Sequence, residues 1–180
     1  MSFPTRCVLV AHTRKPKPPP VVRADTQDAS GGLKPRGFWY AIGSSWMEWL
    51  KRTDLLHERY GGPGKTGTAR LYRVTLSRAT AHRRRLLVLS TLRQVRKFDA
   101  EFGKAEGRFE YIDWAAVSEV YGGIEFRNYD AVVMKMFRMK KDDMPPLWYH
   151  TVDVDSGCIW DPALLSGPLR FVRTIKTAPP

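Results

Sequence analysis

The pattern of apolar and polar positions predicts a series of short strands. Residues 6–12 and 86–90 are apolar runs, and residues 70–76 alternate apolar with polar side chains, as in a strand with one wet face. The same criteria predict strands at 37–43, 124–126, 131–137, 147–154, 158–160 and 169–175. Most of the chain is therefore expected to form a sheet.

A helical period of about 3.6 residues occurs in two segments, 92–102 and 114–121. A third helix is predicted to begin at Ser45, because Glu48 follows at the spacing of a capping box. About seven or eight short strands with two or three short helices indicate an α+β fold.

The 180 residues, of which 43% are hydrophobic, suit a single domain spanning 1–180. Two segments are predicted to be mobile loops: the basic, proline-rich residues 13–36 and the glycine-rich residues 60–69. The second segment resembles a phosphate-binding loop but fails its pattern, because Arg59 stands where the first glycine belongs.

The charge is strongly positive, with 30 Lys and Arg against 18 Asp and Glu, for a net charge of +12. Such a charge favours polyanionic partners, nucleic acid first. Residues 70–97 contain nine basic and no acidic side chains, and they are the predicted nucleic-acid footprint. The candidate contacts are Arg70, Arg73, Arg83, Arg84, Arg85, Arg96 and Lys97.

Several classes of protein are disfavoured. The chain has no apolar run near 18 residues, which predicts no membrane span, and it has no recognisable signal peptide, so a cytoplasmic location is expected. Two cysteines and four histidines show no metal-ligand spacing, so no metal site is predicted. A disulfide between Cys7 and Cys158 is possible but not required.

Four aromatic rings lie within eleven residues around a predicted strand-turn-helix corner: Trp39, Tyr40, Trp46 and Trp49. Flat rings beside a glycine turn can stack on a flat ligand, because glycine allows close approach of the backbone. The same rings are also typical of an ordinary core, and the stretch alone favours that interpretation. The aromatic pattern alone leaves both interpretations open.

The order of three features resembles the ADP-ribosyltransferase fold in its diphtheria-toxin-like or PARP-like histidine-tyrosine-glutamate form. These features are His12 at a strand end, the run Gly37-Phe38-Trp39-Tyr40 leading into a helix, and Glu125 in a later strand. The resemblance implies a mixed, mostly antiparallel sheet split into a sandwich. It also implies NAD as a substrate and transfer of ADP-ribose to a nucleic acid or a nucleic-acid-associated protein, by a phage effector or bacterial toxin.

By this resemblance Glu125 would be the catalytic carboxylate and His12 would hold the adenosine-side ribose. Trp39 or Tyr40 would clamp the nicotinamide, with Trp46 or Trp49 as the opposite wall. Strand alternation allows only one of Trp39 and Tyr40 to face the cleft. Asp153 and Asp155 are alternatives to Glu125, because both stand near the end of a later predicted strand.

A second hypothesis is a binding protein without catalytic activity. Basic side chains interleaved with Trp39, Trp46 and Tyr72 could bind phosphates and stack bases, as in a nucleic-acid-binding module of phage or bacterial origin. A protein inhibitor that acts through the aromatic residues is a further alternative.

Overall fold

The computed structural model describes residues 5–11, 27, 32–53, 67–77, 85–106, 109–138 and 147–177. The strands in this part of the chain are β1 (Arg6–Ala11), β2 (Phe38–Ile42), β3 (Gly67–Arg73), β4 (Arg85–Leu89), β5 (Gly103–Glu106), β6 (Phe109–Ile112), β7 (Tyr121–Phe126), β8 (Ser156–Ile159) and β9 (Arg170–Thr177). The helices are α1 (Ser45–Arg52), α2 (Leu92–Phe102), α3 (Trp114–Val120), α4 (Tyr129–Phe137) and α5 (Leu147–His150), with a 3-10 turn at Pro162–Leu164.

Seven strands form one sheet in the order β4-β7-β8-β2-β1-β3-β9. Among the described strands of this sheet, β4 and β7 run parallel and every other neighbouring pair is antiparallel. Strands β5 and β6 form a separate hairpin. The prediction of an α+β fold with a mixed, mostly antiparallel sheet is therefore confirmed. The described strands form one large sheet and a small hairpin, and the split sandwich implied by the resemblance is not confirmed.

The helices pack on one side of the sheet, here called the helical face. Its main core joins the apolar sides of α2, α3, α4 and α5 to Ile124 and Phe126 of β7 and Cys158 of β8. Helix α1 covers the other half of this face, where Met47 and Leu50 pack against Leu9 and Ile175. Burying large side chains such as these contributes about 1.5–3 kcal/mol each.

The other side of the sheet, here called the second face, carries a smaller core. Val8, Tyr40, Tyr72 and Ile159 pack there, and Leu164 from the 3-10 turn covers them. Successive residues of a strand point to opposite faces, and β2, β4 and β8 each contribute side chains to both cores.

Two predicted helices form as expected. The Thr91 side chain accepts a hydrogen bond from the Gln94 amide at the start of α2, and Asp113 accepts one from the Ala116 amide at the start of α3. At α1 the cap is Ser44 rather than Ser45, and the Ser44 hydroxyl donates to the Glu48 carboxylate instead of accepting from the backbone.

Two strand predictions are wrong. Residues 131–137 belong to helix α4, which buries Tyr129, Val132 and Met136 at helical spacing. Residues 147–154 contain the short helix α5 followed by a turn. Both segments are short and apolar, and periodicity cannot separate a buried strand from a buried helix at this length.

The predicted loops lie partly outside the described residues. Within 13–36, Gln27 and residues 32–36 are described, and within 60–69 only residues 67–69, which begin β3. The helices of the described segments are all too short or too polar to span a bilayer. Cys7 and Cys158 are buried free thiols, and burial raises the pKa of Cys7 to about 11.

Candidate functional site

Trp39 and Tyr40 point to opposite faces of the sheet. The Trp39 ring stacks on Phe126 in the helical-face core, with centroids 6.4 Å apart and planes at 12°. The Tyr40 hydroxyl donates to Glu125 on the second face, at 2.8 Å. Glu125 and Trp39 therefore do not share a cleft, although both were predicted to contact one ligand. His12 lies outside the described residues.

Glu125 is fully buried and both of its carboxylate oxygens are bonded. Oε1 accepts from Arg6 Nε at 2.5 Å and from Tyr40, and Oε2 accepts from Arg127 Nε at 2.8 Å. The side chains of Arg6 and Arg127 retain 22% and 40% exposure. A carboxylate enclosed in this way is a structural ion pair, and the catalytic role predicted for Glu125 does not fit this geometry.

The network depends on Gly157 of β8. Glu125 and Tyr40 both lie directly opposite Gly157, one on each neighbouring strand. Because glycine has no side chain, the Tyr40 ring can lie across β8 and reach the carboxylate. A Cβ at position 157 would lie 2.5 Å from the Tyr40 hydroxyl oxygen and 2.7 Å from its Cε2.

The charges set the protonation states. Burial alone would raise the pKa of Glu125, but hydrogen bonds from Arg6 and Tyr40, together with the charge of Arg6, lower it below its ordinary value. Burial, reinforced by the neighbouring Glu125, raises the pKa of Tyr40, so the phenol stays protonated and remains a donor.

The lowered pKa of Glu125 predicts a loss of stability in acid. A carboxylate with a pKa below its unfolded value stabilises the fold above that value, about 4.5, and the stabilisation disappears as the pH falls through the lowered pKa. We expect urea-unfolding free energies of the wild type to fall below about pH 4.5, and those of Glu125→Gln to fall less over the same range. Equal slopes for both proteins would contradict this assignment.

Three tryptophans line a cleft on the helical face. The tryptophan cleft has a volume of about 300 Å³ and is lined by Lys34, Trp39, Trp46, Trp49, Leu50, Val152, Asp153, Val154 and Ser156. The three rings are half-buried, so part of each faces the cleft. The structure thus brings together Trp39, Trp46 and Trp49 of the predicted ring-binding set and separates them from Tyr40 and Glu125.

Local geometry explains how the tryptophans meet. Gly43, with φ of 60°, turns the chain from β2 into α1, a backbone conformation that glycine adopts without strain. Trp46 and Trp49 are three residues apart and share one side of α1. Met47 and Leu50 of the same helix are buried.

The segment that carries Lys34 is held in place by hydrogen bonds. The buried Gln27 side chain donates to the Arg36 carbonyl at 2.8 Å and accepts from the Arg36 amide at 2.9 Å. The Trp39 indole donates to the Pro35 carbonyl at 3.3 Å. The Lys34 ammonium lies 5.9 Å from the centroid of the Trp39 ring, within the range of a cation–π contact.

Ser156 provides an unused polar group in the lining of the tryptophan cleft. Its side chain is 1% exposed, and its hydroxyl has no hydrogen-bond partner among the described residues. A buried hydroxyl without a partner costs free energy, and most such groups in proteins are paired. A polar group of a ligand could complete this bond.

Asp153 lies in a strained turn at the same cleft. Its φ is 69°, and the Val154 amide donates to the Val152 carbonyl at 2.9 Å across it, the pattern of a γ-turn with positive φ. Such conformations cost about 1–3 kcal/mol and cluster at functional sites. The Asp153 carboxylate is partly exposed and accepts from Lys34 at 3.2 Å.

Asp155, the other alternative acid, has a structural role. Its carboxylate accepts from the Tyr129 amide at 2.7 Å, and its carbonyl accepts from the Ser45 hydroxyl at 2.6 Å. These bonds connect the start of α4 and the start of α1 to β8. Asp153 is therefore the better placed of the two acids for a ligand.

A second cleft of about 480 Å³ adjoins the first and shares Trp49 and Val154 with it. Its charged lining residues are Glu48, Arg52, Asp130 and Asp155. The two clefts together contain four acidic and two basic residues, in a chain whose net charge is +12. This acidic excess favours a positively charged or hydroxyl-rich ligand over an anionic one.

The predicted basic footprint does not form one patch. Arg70 and Arg73 lie on β3, whereas Arg85 begins β4 at the far edge of the sheet. With strands about 4.8 Å apart, five strand spacings place β3 about 24 Å from β4. Arg96 and Lys97 are exposed on α2, and Arg83 and Arg84 lie outside the described residues.

Sequence reasoning missed Ser156 and Lys34 as cleft residues. Ser156 lies between the predicted strands 147–154 and 158–160, but it begins β8, and its role depends on the unpaired hydroxyl. No group of three or more His, Cys, Asp or Glu side chains in the described segments is arranged to hold a metal ion. Comparisons with protein-family models, curated proteins and solved structures found no match for this chain.

Proposed function

We propose that the tryptophan cleft binds the nicotinamide end of NAD and that the protein uses NAD as a donor of ADP-ribose. The observation that carries the proposal is the convergence of Trp39, Trp46 and Trp49 around a cleft that also contains Asp153. In this proposal Asp153 replaces Glu125 as the acid, because Glu125 is enclosed by arginines on the other face of the sheet.

The cleft suits a flat cation better than a neutral or anionic ring. The oxidised nicotinamide ring is planar and positively charged, and tryptophan faces attract cations. The Lys34 ammonium already lies near the Trp39 ring and pairs with Asp153, so the site accepts a positive charge in this position. The unpaired Ser156 hydroxyl could bond to the carboxamide, and acids of the second cleft could accept from ribose hydroxyls.

The chemistry requires little from the protein. In the transfer, the bond between the ribose C1′ and the nicotinamide nitrogen breaks, and its electron pair leaves with the nicotinamide, which becomes neutral. An acceptor nucleophile forms a bond to C1′ and releases its proton to solvent. A carboxylate such as Asp153 stabilises the positive charge that develops on the ribose.

Two substitutions with opposite expected effects test the binding site. Lys34→Ala removes a competing cation and should tighten NAD binding several-fold, whereas Asp153→Asn removes an attractive charge and should weaken it about tenfold. Isothermal titration calorimetry would measure the NAD affinity of both variants. The same method would compare 1-methylnicotinamide, which is a cation, with nicotinamide, a neutral ring of similar shape. The cation should bind more tightly than the neutral ring, and NAD more tightly than NADH.

Matched controls separate a local effect from a change in net charge. Lys51→Ala and Glu119→Gln alter exposed residues outside both clefts and should leave binding unchanged. If Lys34→Ala weakens binding, or if NADH binds as tightly as NAD, the proposed cation site is wrong. Transfer is tested separately, with labelled NAD and single-stranded DNA, RNA or cell lysate as acceptor, and Asp153→Asn should abolish it.

A second candidate is a binding module without catalysis. The enclosure of Glu125 favours it, because the acid that the family resemblance implied is not available to a substrate. In that case unpaired bases would stack in the tryptophan cleft with Lys34 as the cationic contact for a phosphate, and the acids of the two clefts would oppose this binding. Lys34→Ala would then weaken binding of an oligonucleotide, the opposite of its expected effect on NAD.

A further inference from the structure

The strands β3 and β9 form a surface with a charge opposite to that of the clefts. Their 15 residues include five basic side chains and no acidic one. The basic residues are Arg70, Arg73, Arg170, Arg173 and Lys176. β9 is also the last strand of the sheet, so one of its edges has no neighbouring strand in the described part of the chain.

The register divides the basic residues between the two faces of the sheet. Arg73 is the partner of both Cys7 and Arg170, and Arg173 is the partner of Leu71, so these three arginines lie on the helical face. Arg70 and Lys176 lie on the second face, the face that carries Tyr72 and Phe171.

An aromatic ring lies in the same surface. Phe171 is 57% exposed and contacts Tyr72 edge-on, with centroids 5.8 Å apart. Tyr72 is Phe171's register partner, and strand alternation places Arg70 on the same face as Tyr72. An exposed ring beside cationic side chains is the arrangement with which proteins stack the bases of single strands while holding their phosphates.

We propose that the second face of β3 and β9 binds single-stranded nucleic acid, with the phosphates on Arg70 and Lys176 and a base stacked on Phe171. The inference goes beyond the NAD proposal and does not depend on it, because the surface and its ligand are different. It assigns the polyanion contact to residues of β9, which the basic block in the sequence did not include.

Fluorescence polarisation with a labelled 12-residue oligo-dT tests the proposal on the full chain. Phe171→Ala should weaken binding about tenfold, since base stacking on an aromatic side chain contributes about that much. Arg70→Ala combined with Lys176→Ala should make the logarithmic salt dependence less steep by about 1.4, because each phosphate contact on a single strand contributes about 0.7.

The chain offers matched controls on other elements. Phe137→Ala removes a ring that is 69% exposed on α4, and Lys51→Ala with Lys135→Ala removes two exposed charges from α1 and α4. These variants should bind like the wild type, and circular dichroism should show that all variants are folded. Equal losses in the test and control variants would indicate attraction by net charge alone and would overturn the proposal.

Three other outcomes would also overturn it. Absence of oligonucleotide binding would exclude the surface as a nucleic-acid site. Tighter binding of the matched duplex would show that Phe171 does not stack unpaired bases. Vesicles rich in phosphatidylserine should compete only weakly with the oligonucleotide. If they compete as well as unlabelled oligonucleotide, and if the test variants lose vesicle binding too, the surface binds an anionic membrane instead. None of these outcomes bears on NAD binding in the tryptophan cleft, so the two proposals fail separately.

Discussion

Glu125→Gln is expected to destabilise the protein by about 3 kcal/mol, the lower end of the range for breaking a buried ion pair. The substitution keeps the volume of the side chain but leaves Arg6 and Arg127 without the opposite charge. The lower end applies because both arginines retain contact with water. Urea unfolding at pH 7, followed by circular dichroism, measures the change.

Two comparisons give this result its meaning. Tyr40→Phe removes one hydrogen bond from the same carboxylate and should cost only about 1 kcal/mol. Glu119→Gln, on the exposed side of α3, should change stability by less than about 0.5 kcal/mol. A Glu125→Gln variant as stable as Glu119→Gln would show that the carboxylate is not the centre of an ion-pair network.

Gly157→Ala is expected to destabilise the protein by about 3 kcal/mol, at the upper end for overpacking a core. The new methyl group would overlap the Tyr40 ring, which is fully buried and held by its bond to Glu125. The ring cannot move without breaking that bond. Thermal and urea unfolding of the purified variant would measure the loss.

A double-mutant cycle tests the stated cause. If the clash with Tyr40 explains the loss, Tyr40→Ala combined with Gly157→Ala should be more stable than the sum of the two single effects predicts. Additive effects would mean that Gly157 is required for another reason, such as its backbone conformation. Either result would leave the tryptophan cleft unaffected, because it lies on the other face of the sheet.

Some features could be predicted from the sequence because they depend on local patterns. The apolar side of α2, with Val95, Phe98 and Phe102, follows a helical period, and its cap at Thr91 follows from local hydrogen bonding. Helix α4 could not be distinguished from a strand, because its apolar residues form a short run in which both periods fit.

The candidate site was only partly predictable, because it depends on strand register. Alternation implied that Trp39 and Tyr40 face opposite sides, but only the pairing with β8 shows that Glu125 accompanies Tyr40. The strained backbone of Asp153 leaves no mark in composition or spacing. The basic residues of 70–97 are close together in the sequence. The order of strands in the sheet separates β3, which carries Arg70 and Arg73, from β4, which begins at Arg85.

The position of β8 has a consequence for how the protein is made. Residues 156–159 lie between β7 and β2, so the middle of the sheet is completed by a segment that follows both of these strands in the chain. During synthesis, β2 and β7 emerge before their shared neighbour and expose unpaired strand edges. Pairing across such sequence distances is slow, typically in milliseconds to seconds. A chain that stops before residue 156 should therefore aggregate rather than fold.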